Sequence, residues 1–211
     1  MDLKQFKKLP LMGIIRGVDP SKLEPLIEVS ARAGLQTLEI TMNTPGAADL
    51  IKKACGLSGG RVSVGAGTVL SMDEMDSALR AGAEFIVMPV YIKEITDACK
   101  TKGISVFPGA FTPQEVFEAW KGGASMVKVF PSGALGPEYI KALKGPFNDI
   151  KLMAVGGVKL DNIKDYFACG ADAVAFGAGV FKKEWLDSGD FNAIGSLVAQ
   201  YVAEVKKQVE Q

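Results

Sequence analysis

Lys128 lies in the middle of the apolar run Met126-Val127-Lys128-Val129-Phe130-Pro131. An amine buried in such a strand is costly to keep charged, so its pKa should fall. A neutral amine is a nucleophile towards ketones and condenses with them to a Schiff base. The structural alternative is a lysine whose stem runs along apolar surface to a wet rim, or one paired with a buried acid. Glu39 is the second charged residue inside an apolar segment, Thr37-Leu38-Glu39-Ile40-Thr41. Period-two alternation puts Glu39 and Thr41 on one side of that strand. A buried carboxyl with a raised pKa can shuttle protons. Its structural role would be that of salt partner to Lys128 or Arg16.

Three further features sit just past apolar runs. Arg16 follows Ile14-Ile15, and a guanidinium at a strand end suits a carboxylate or a phosphate, or else a rim ion pair. Thr68 closes Gly65-Ala66-Gly67-Thr68, where the glycines permit close backbone approach. Val155-Gly156-Gly157-Val158 and Phe176-Gly177-Ala178-Gly179 end the last two apolar runs. Backbone amides of Gly156, Gly157, Gly177 and Ala178 are therefore placed as anion-binding groups. Pro89 and Phe130, at the ends of two other runs, join them as substrate-binding residues. The remaining aromatics and the methionines are read as core or pocket lining, Trp120 and Trp185 as helix-packing residues, and the cysteines as small buried apolar groups.

Composition narrows the chemistry. The 211 residues contain no histidine, which excludes a Ser-His-Asp or Cys-His nucleophile and an imidazole-bound zinc. Acid–base work must fall to Glu, Asp, Lys, Tyr or Cys. With 24 Lys+Arg against 24 Asp+Glu, nothing favours nucleic acid, whose binders carry a basic surplus. Three scattered cysteines and no C-x-x-C fit a reducing compartment without a thiolate metal cluster. There is no apolar run of about 18 residues and no signal-peptide pattern. The expectation is a cytoplasmic protein that uses no metal or other cofactor.

The elements that must position these groups follow from a weak internal period. Ala33-Gly34-Leu35, Ala81-Gly82-Ala83, Lys102-Gly103-Ile104, Gly122-Gly123-Ala124 and Cys169-Gly170-Ala171 each close a helix-like segment and open a β-prone one. Gly59-Gly60 and Gly145-Pro146 supply two more joints, and seven joints imply eight strands. These are expected at Leu11–Ile15, Thr37–Thr41, Val62–Ala66, Phe85–Met88, Ser105–Pro108, Met126–Phe130, Leu152–Val155 and Ala173–Gly177. Pro20, Pro45, Pro113 and Pro137 mark helix starts. Alternating strands and helices with near-continuous apolar strands mean a parallel sheet covered by helices. The fold class is thus α/β, a single (β/α)8 TIM barrel over residues 1–211. The competing doubly wound open sheet would carry a Gly-rich turn after its first strand, and Arg16-Gly17-Val18-Asp19 is not one. Barrel active sites lie at the C-terminal ends of the strands, where Arg16, Thr68 and the glycine runs fall, with Lys128 and Glu39 inside their strands.

Taken in order, Ile15-Arg16-Gly17, Leu38-Glu39-Ile40-Thr41, Val64-Gly65-Ala66-Gly67-Thr68-Val69, Phe107-Pro108-Gly109, Val127-Lys128-Val129-Phe130-Pro131 and Val155-Gly156-Gly157-Val158 resemble a known family. It is that of the class I, Schiff-base aldolases that cleave 2-keto-3-deoxy-6-phosphogluconate and 4-hydroxy-2-oxoglutarate to pyruvate and an aldehyde. The likeness runs from about residue 8 to 208. It implies a Schiff-base lysine at Lys128, an acid–base glutamate at Glu39, a carboxylate-contacting threonine at Thr68 and a basic residue at Arg16. It also implies a barrel without metal and a homotrimer acting on a small keto acid. The chain departs from the family pattern at Met42-Asn43-Thr44, where some members have Leu-Arg-Thr, at Val155, where many have Thr, and at Gly179, where many have a phosphate-contacting serine. Asn43-Thr44-Pro45 and Gly136-Pro137-Glu138-Tyr139 look more like the branch that cleaves the 6-phosphogalactonate epimer.

Two other functions fit the same residues. A sugar-phosphate isomerase or epimerase would use Glu39 as base and Lys128 only as a charge. A non-catalytic binding protein for a sugar-acid phosphate would bind without releasing pyruvate.

Overall fold

In the computed structural model, which describes residues 1–210, the chain alternates strand and helix. The strands are β1 (Leu11–Ile15), β2 (Thr37–Thr41), β3 (Ser63–Gly67), β4 (Phe85–Val87), β5 (Ser105–Phe107), β6 (Gly109–Ala110), β7 (Val127–Val129), β8 (Leu152–Val155) and β9 (Ala173–Phe176). The helices are α1 (Leu3–Phe6), α2 (Leu23–Arg32), α3 (Ala47–Ser58), α4 (Met72–Arg80), α5 (Lys93–Lys102), α6 (Pro113–Gly122), α7 (Pro137–Lys144), α8 (Ile163–Ala168), α9 (Lys183–Ser188) and α10 (Phe191–Val209). All pairings are parallel, in the order β5-β4-β3-β2-β1-β9-β8-β7-β6.

β5 and β6 are one passage of the chain interrupted at Pro108, which has no N–H to offer a ladder. Across this passage the sheet closes on itself. Ser125 donates its amide to the Val106 carbonyl at 2.8 Å, and Lys128 donates its own to the Pro108 carbonyl at 2.9 Å. The result is a barrel of eight passages, as the repeat predicts. Three strands, Leu11–Ile15, Thr37–Thr41 and Leu152–Val155, match at both ends. The expected fifth strand, Ser105–Pro108, is instead cut at the proline, and the third is shifted by one, to Ser63–Gly67.

Alternation along the strands builds two apolar layers. Leu38, Ile40, Val64, Ala66, Val127 and Val129 point outward into the layer beneath the helices. Met12, Phe85, Val87, Phe107, Met126 and Met153 point inward and fill the barrel. Phe6 of α1 completes this inner layer, its ring 6.0 Å from that of Phe107, so α1 stoppers the N-terminal end. Because Leu38 and Ile40 face out, Glu39 faces in; Lys128, between Val127 and Val129, does too.

Helix ends follow sequence signals. Thr112 and Glu115 form a capping box ahead of Pro113, the first residue of α6. Gly103 and Gly123 end α5 and α6 in the left-handed conformation that L side chains resist. Pro137 likewise opens α7, but Pro20 and Pro45 lie in turns ahead of α2 and α3 and do not start them. Of the cysteines only Cys99 is buried; Cys55 and Cys169 are part-exposed, correcting the expectation that all three are buried. Trp120 packs on the outer layer as expected, and Trp185 also lies under the Lys182 ammonium, 4.1 Å from the ring centroid. No described helix is long and apolar enough to cross a membrane. Among the described residues no cluster of three or more His, Cys, Asp or Glu could hold a metal ion.

Candidate active site

A cavity of about 540 Å³ opens at the C-terminal ends of the strands. Nine of the ten residues singled out in the sequence line it: Arg16, Thr68, Pro89, Lys128, Phe130, Gly156, Gly157, Gly177 and Ala178. The tenth, Glu39, is not at its surface. It is 1% exposed, inside the barrel wall between its register partners Ile14 and Gly65.

Lys128 is 5% exposed and projects into the cavity from β7. Its Nζ stands 5.2 Å from the centroid of the Phe130 ring. Burial pushes the amine below the usual lysine range; Glu39 opposes the shift, and Arg16 adds to it. Glu39 is pushed above the ordinary carboxyl range by burial, against the attraction of Lys128 and Arg16. Among the described residues neither Glu39 oxygen has a hydrogen-bond partner, and no cation lies within 4.0 Å of either. The expectation of a direct salt bridge to Lys128 or Arg16 is therefore not met. An unpaired buried carboxyl is costly as an anion and far cheaper as the neutral acid.

The glycines of β3 are what make room for Glu39. A Cβ on Gly67 would stand 2.2 Å from Glu39 Oε1 and 2.5 Å from its Cδ. Gly65 does the same for Phe85, whose ring would lie 2.4 Å from an added Cβ. Gly67 falls one residue past the strand expected at Val62–Ala66. Its pairing with Thr41, in a strand that also carries Glu39, is the structural signal that sequence reading missed.

Arg16 is exposed and makes no rim ion pair among the described residues. Its Nη2 instead donates to Thr68 Oγ1 at 3.2 Å, joining the loops after β1 and β3. Thr68 holds a left-handed backbone, φ 55°, which aims its side chain at the cavity at some cost in strain. The Arg16 loop is tied down as well. Gly17 donates its amide to Thr44 Oγ1 at 2.9 Å, and Thr44 Oγ1 lies 3.0 Å from Thr41 Oγ1 inside the wall. The sequence places Thr41 on the Glu39 side of its strand but assigns neither threonine to the site.

Across the mouth, Gly156 (φ 81°) and Gly157 (φ 83°) turn the chain after β8. The amides of Gly157, Ala178 and Gly179 donate to no backbone carbonyl, which suits them to an anion. Lys159, two residues past Gly157, also lines the cavity and was not anticipated.

The fold and site define a class: a parallel α/β barrel whose C-terminal mouth offers a buried amine, a guanidinium, a hydroxyl and open amides to a small anionic molecule. A family model described as "Aldolase: KDPG and KHG aldolase" matches residues 3–197. The 2-dehydro-3-deoxy-6-phosphogalactonate aldolase of Escherichia coli K12 is 35% identical over 176 residues, covering 83% of this chain and 86% of that protein. A solved structure described as native KDPGal superposes with a TM-score of 0.89 at 32% identity, covering 97% of this chain and 98% of the other. KDPG aldolase from Legionella pneumophila, with pyruvate captured at low pH as a covalent carbinolamine intermediate, gives a TM-score of 0.85 at 26% identity, covering 92% and 94% of the two chains. The chain belongs to the KDPG and KHG aldolase family, as the sequence motifs imply. It is an aldolase, and so a carbon–carbon lyase.

Proposed function

We propose that this protein cleaves a 2-keto-3-deoxy-6-phospho-sugar acid to pyruvate and glyceraldehyde 3-phosphate, with Lys128 as the Schiff-base amine and Glu39 as the proton carrier. The observation that carries this reading is a buried lysine lining the cavity beside a buried, unpaired glutamate. The amine attacks the C2 ketone; Glu39, protonated at rest, gives its proton to the departing carbinolamine hydroxyl, and loss of water leaves an iminium and a Glu39 carboxylate. The C4 hydroxyl proton passes to Glu39 as the C3–C4 bond breaks, and the bonding pair moves into the iminium to give an enamine. The aldehyde leaves; C3 is then protonated, and water releases pyruvate and the free amine. Glu39 stands outside contact distance of Lys128, so its protons travel through the substrate oxygens or one water. Thr68 and Arg16 hold the keto-acid carboxylate, and the glycine amides hold the distal phosphate.

The relatives support both the phosphogalactonate and the phosphogluconate epimers. The higher identity to the E. coli phosphogalactonate enzyme, together with Asn43-Thr44-Pro45, favours the former. 4-Hydroxy-2-oxoglutarate, cleaved to pyruvate and glyoxylate, is the next candidate. We also infer a cytoplasmic homotrimer; exposed Leu70, Met72 and Val90 beside the cavity end of β3 and β4 supply apolar surface for a neighbour.

Borohydride reduction in the presence of pyruvate should add the mass of reduced pyruvate to Lys128 alone. A protein that binds pyruvate yet gives no adduct there overturns the mechanism. Pyruvate release from both phosphorylated epimers and from hydroxyoxoglutarate, measured side by side, ranks the substrates.

A further inference from the structure

The cavity lining contains three cations, Arg16, Lys128 and Lys159, and no aspartate or glutamate. Two of them have a place in the reading above, on which this inference rests. Lys159 has none. It lies on the exposed rim, and its ammonium has no acidic partner among the described residues. Its backbone is nonetheless fixed. Asn162 Oδ1 accepts the Lys159 amide at 2.8 Å, and Asn162 Nδ2 donates to the Gly157 carbonyl at 3.0 Å. One side chain thus pins both ends of the turn that runs from the open Gly157 amide to Lys159.

We propose that Lys159 is a specificity-determining residue that pairs with the distal phosphate dianion and sets the preference for phosphorylated over unphosphorylated substrates. A compact ammonium on a flexible stem can follow a phosphate at the mouth without fixing its angle, whereas neutral amides alone offer no net charge. The ketone is held deep in the cavity by Lys128 and the phosphate meets Lys159 at the rim, so the charge pair forms at the end of the substrate remote from bond cleavage. It therefore acts on binding, and KM should carry the effect.

The test is the ratio of kcat/KM for a 6-phosphorylated 2-keto-3-deoxy-sugar acid to that for its unphosphorylated counterpart. Lys159→Met should lower the ratio roughly five- to tenfold through KM, the range between an exposed ion pair and a charge-assisted phosphate contact. Lys159→Arg should restore most of it. Added salt should erode the preference of the parent protein more than that of Lys159→Met. Lys164→Met, at an exposed lysine outside the cavity, is the control for general surface charge and should leave the ratio in place. An unchanged ratio in Lys159→Met, or an equal fall in Lys164→Met, overturns the proposal. Pyruvate trapping on Lys128 separates the two readings. If the parent protein traps pyruvate and the ratio ignores Lys159, only this inference fails; if the parent does not trap it, the proposed chemistry fails and this inference with it.

Discussion

Gly67→Ala tests whether Glu39 is where the chemistry needs it. The added methyl would stand 2.2 Å from Glu39 Oε1, against an ordinary contact of 3.4–4 Å. Gly67 does not carry a positive φ, so alanine suits the backbone and the conflict falls on the Glu39 carboxyl. That group is 1% exposed and walled by β1 and β3, so it must move by more than about 1 Å into a different rotamer. Overpacking of this kind costs about 1–3 kcal/mol, towards the low end here because the tip of one side chain gives way. The kinetic effect should be larger. A misplacement of about 1 Å costs on the order of a hundredfold, and a positioned general acid–base group contributes roughly 10²–10⁴-fold. Pyruvate release coupled to lactate dehydrogenase should show kcat down about a hundredfold, with a melting temperature only a few degrees lower. Gly67→Ala placed on Glu39→Gln should add little further loss, since both act on one group. If folded Gly67→Ala keeps kcat within about twofold of the parent, Glu39 is not the proton carrier, or its position does not matter.

Other perturbations follow from the same geometry. Lys128→Met should abolish the pyruvate adduct yet raise the melting temperature at neutral pH, because it removes a buried amine whose charge is penalised. The sign follows from linkage. A lysine lowered in the folded state makes the parent gain stability as pH rises towards the ordinary lysine value, and the variant should lose that alkaline gain in melting scans. Glu39, raised in the folded state, acts oppositely: the parent loses stability as pH climbs above the ordinary carboxyl range, and Glu39→Gln should lack this loss. Thr68→Gly should relieve about 1 kcal/mol of left-handed strain, visible in denaturant titration, while raising KM for the keto acid through loss of the hydroxyl. Thr44→Val should leave the Gly17 amide without its acceptor, cost about 1–3 kcal/mol in the same titration and weaken anion binding at Arg16.

Much of this arrangement could be read from residue order because barrel geometry turns strand periodicity into direction. Thr37–Thr41 matched to the residue, and its outward Leu38 and Ile40 oblige Glu39 to face inward. Lys128 follows by the same rule from Val127 and Val129. Legibility ended where partners lie far apart in sequence. That Glu39 stands apart from both cations depends on how β1, β3 and β7 space their side chains, and no local pattern encodes it. Gly67 looked like a loop residue because glycine disfavours strands; its strand pairing is a tertiary effect. The expected fifth strand stops at Pro108, and no local pattern shows that Gly109–Ala110 rejoins the sheet beyond it; α1 is too short to show a helical period. Nothing in the local sequence marks Lys159, since only the curvature of the turn after β8 brings it over the mouth.

The stopper formed by Phe6 against Phe107 has a kinetic consequence. A vessel corked at its base has one doorway, so reactant and both fragments must use the same opening. The piece lying nearest the doorway departs first, and only then can water reach the carbon still tethered below. Release should therefore be ordered, aldehyde before keto acid, and an excess of free keto acid should occupy the tether and block the next turnover.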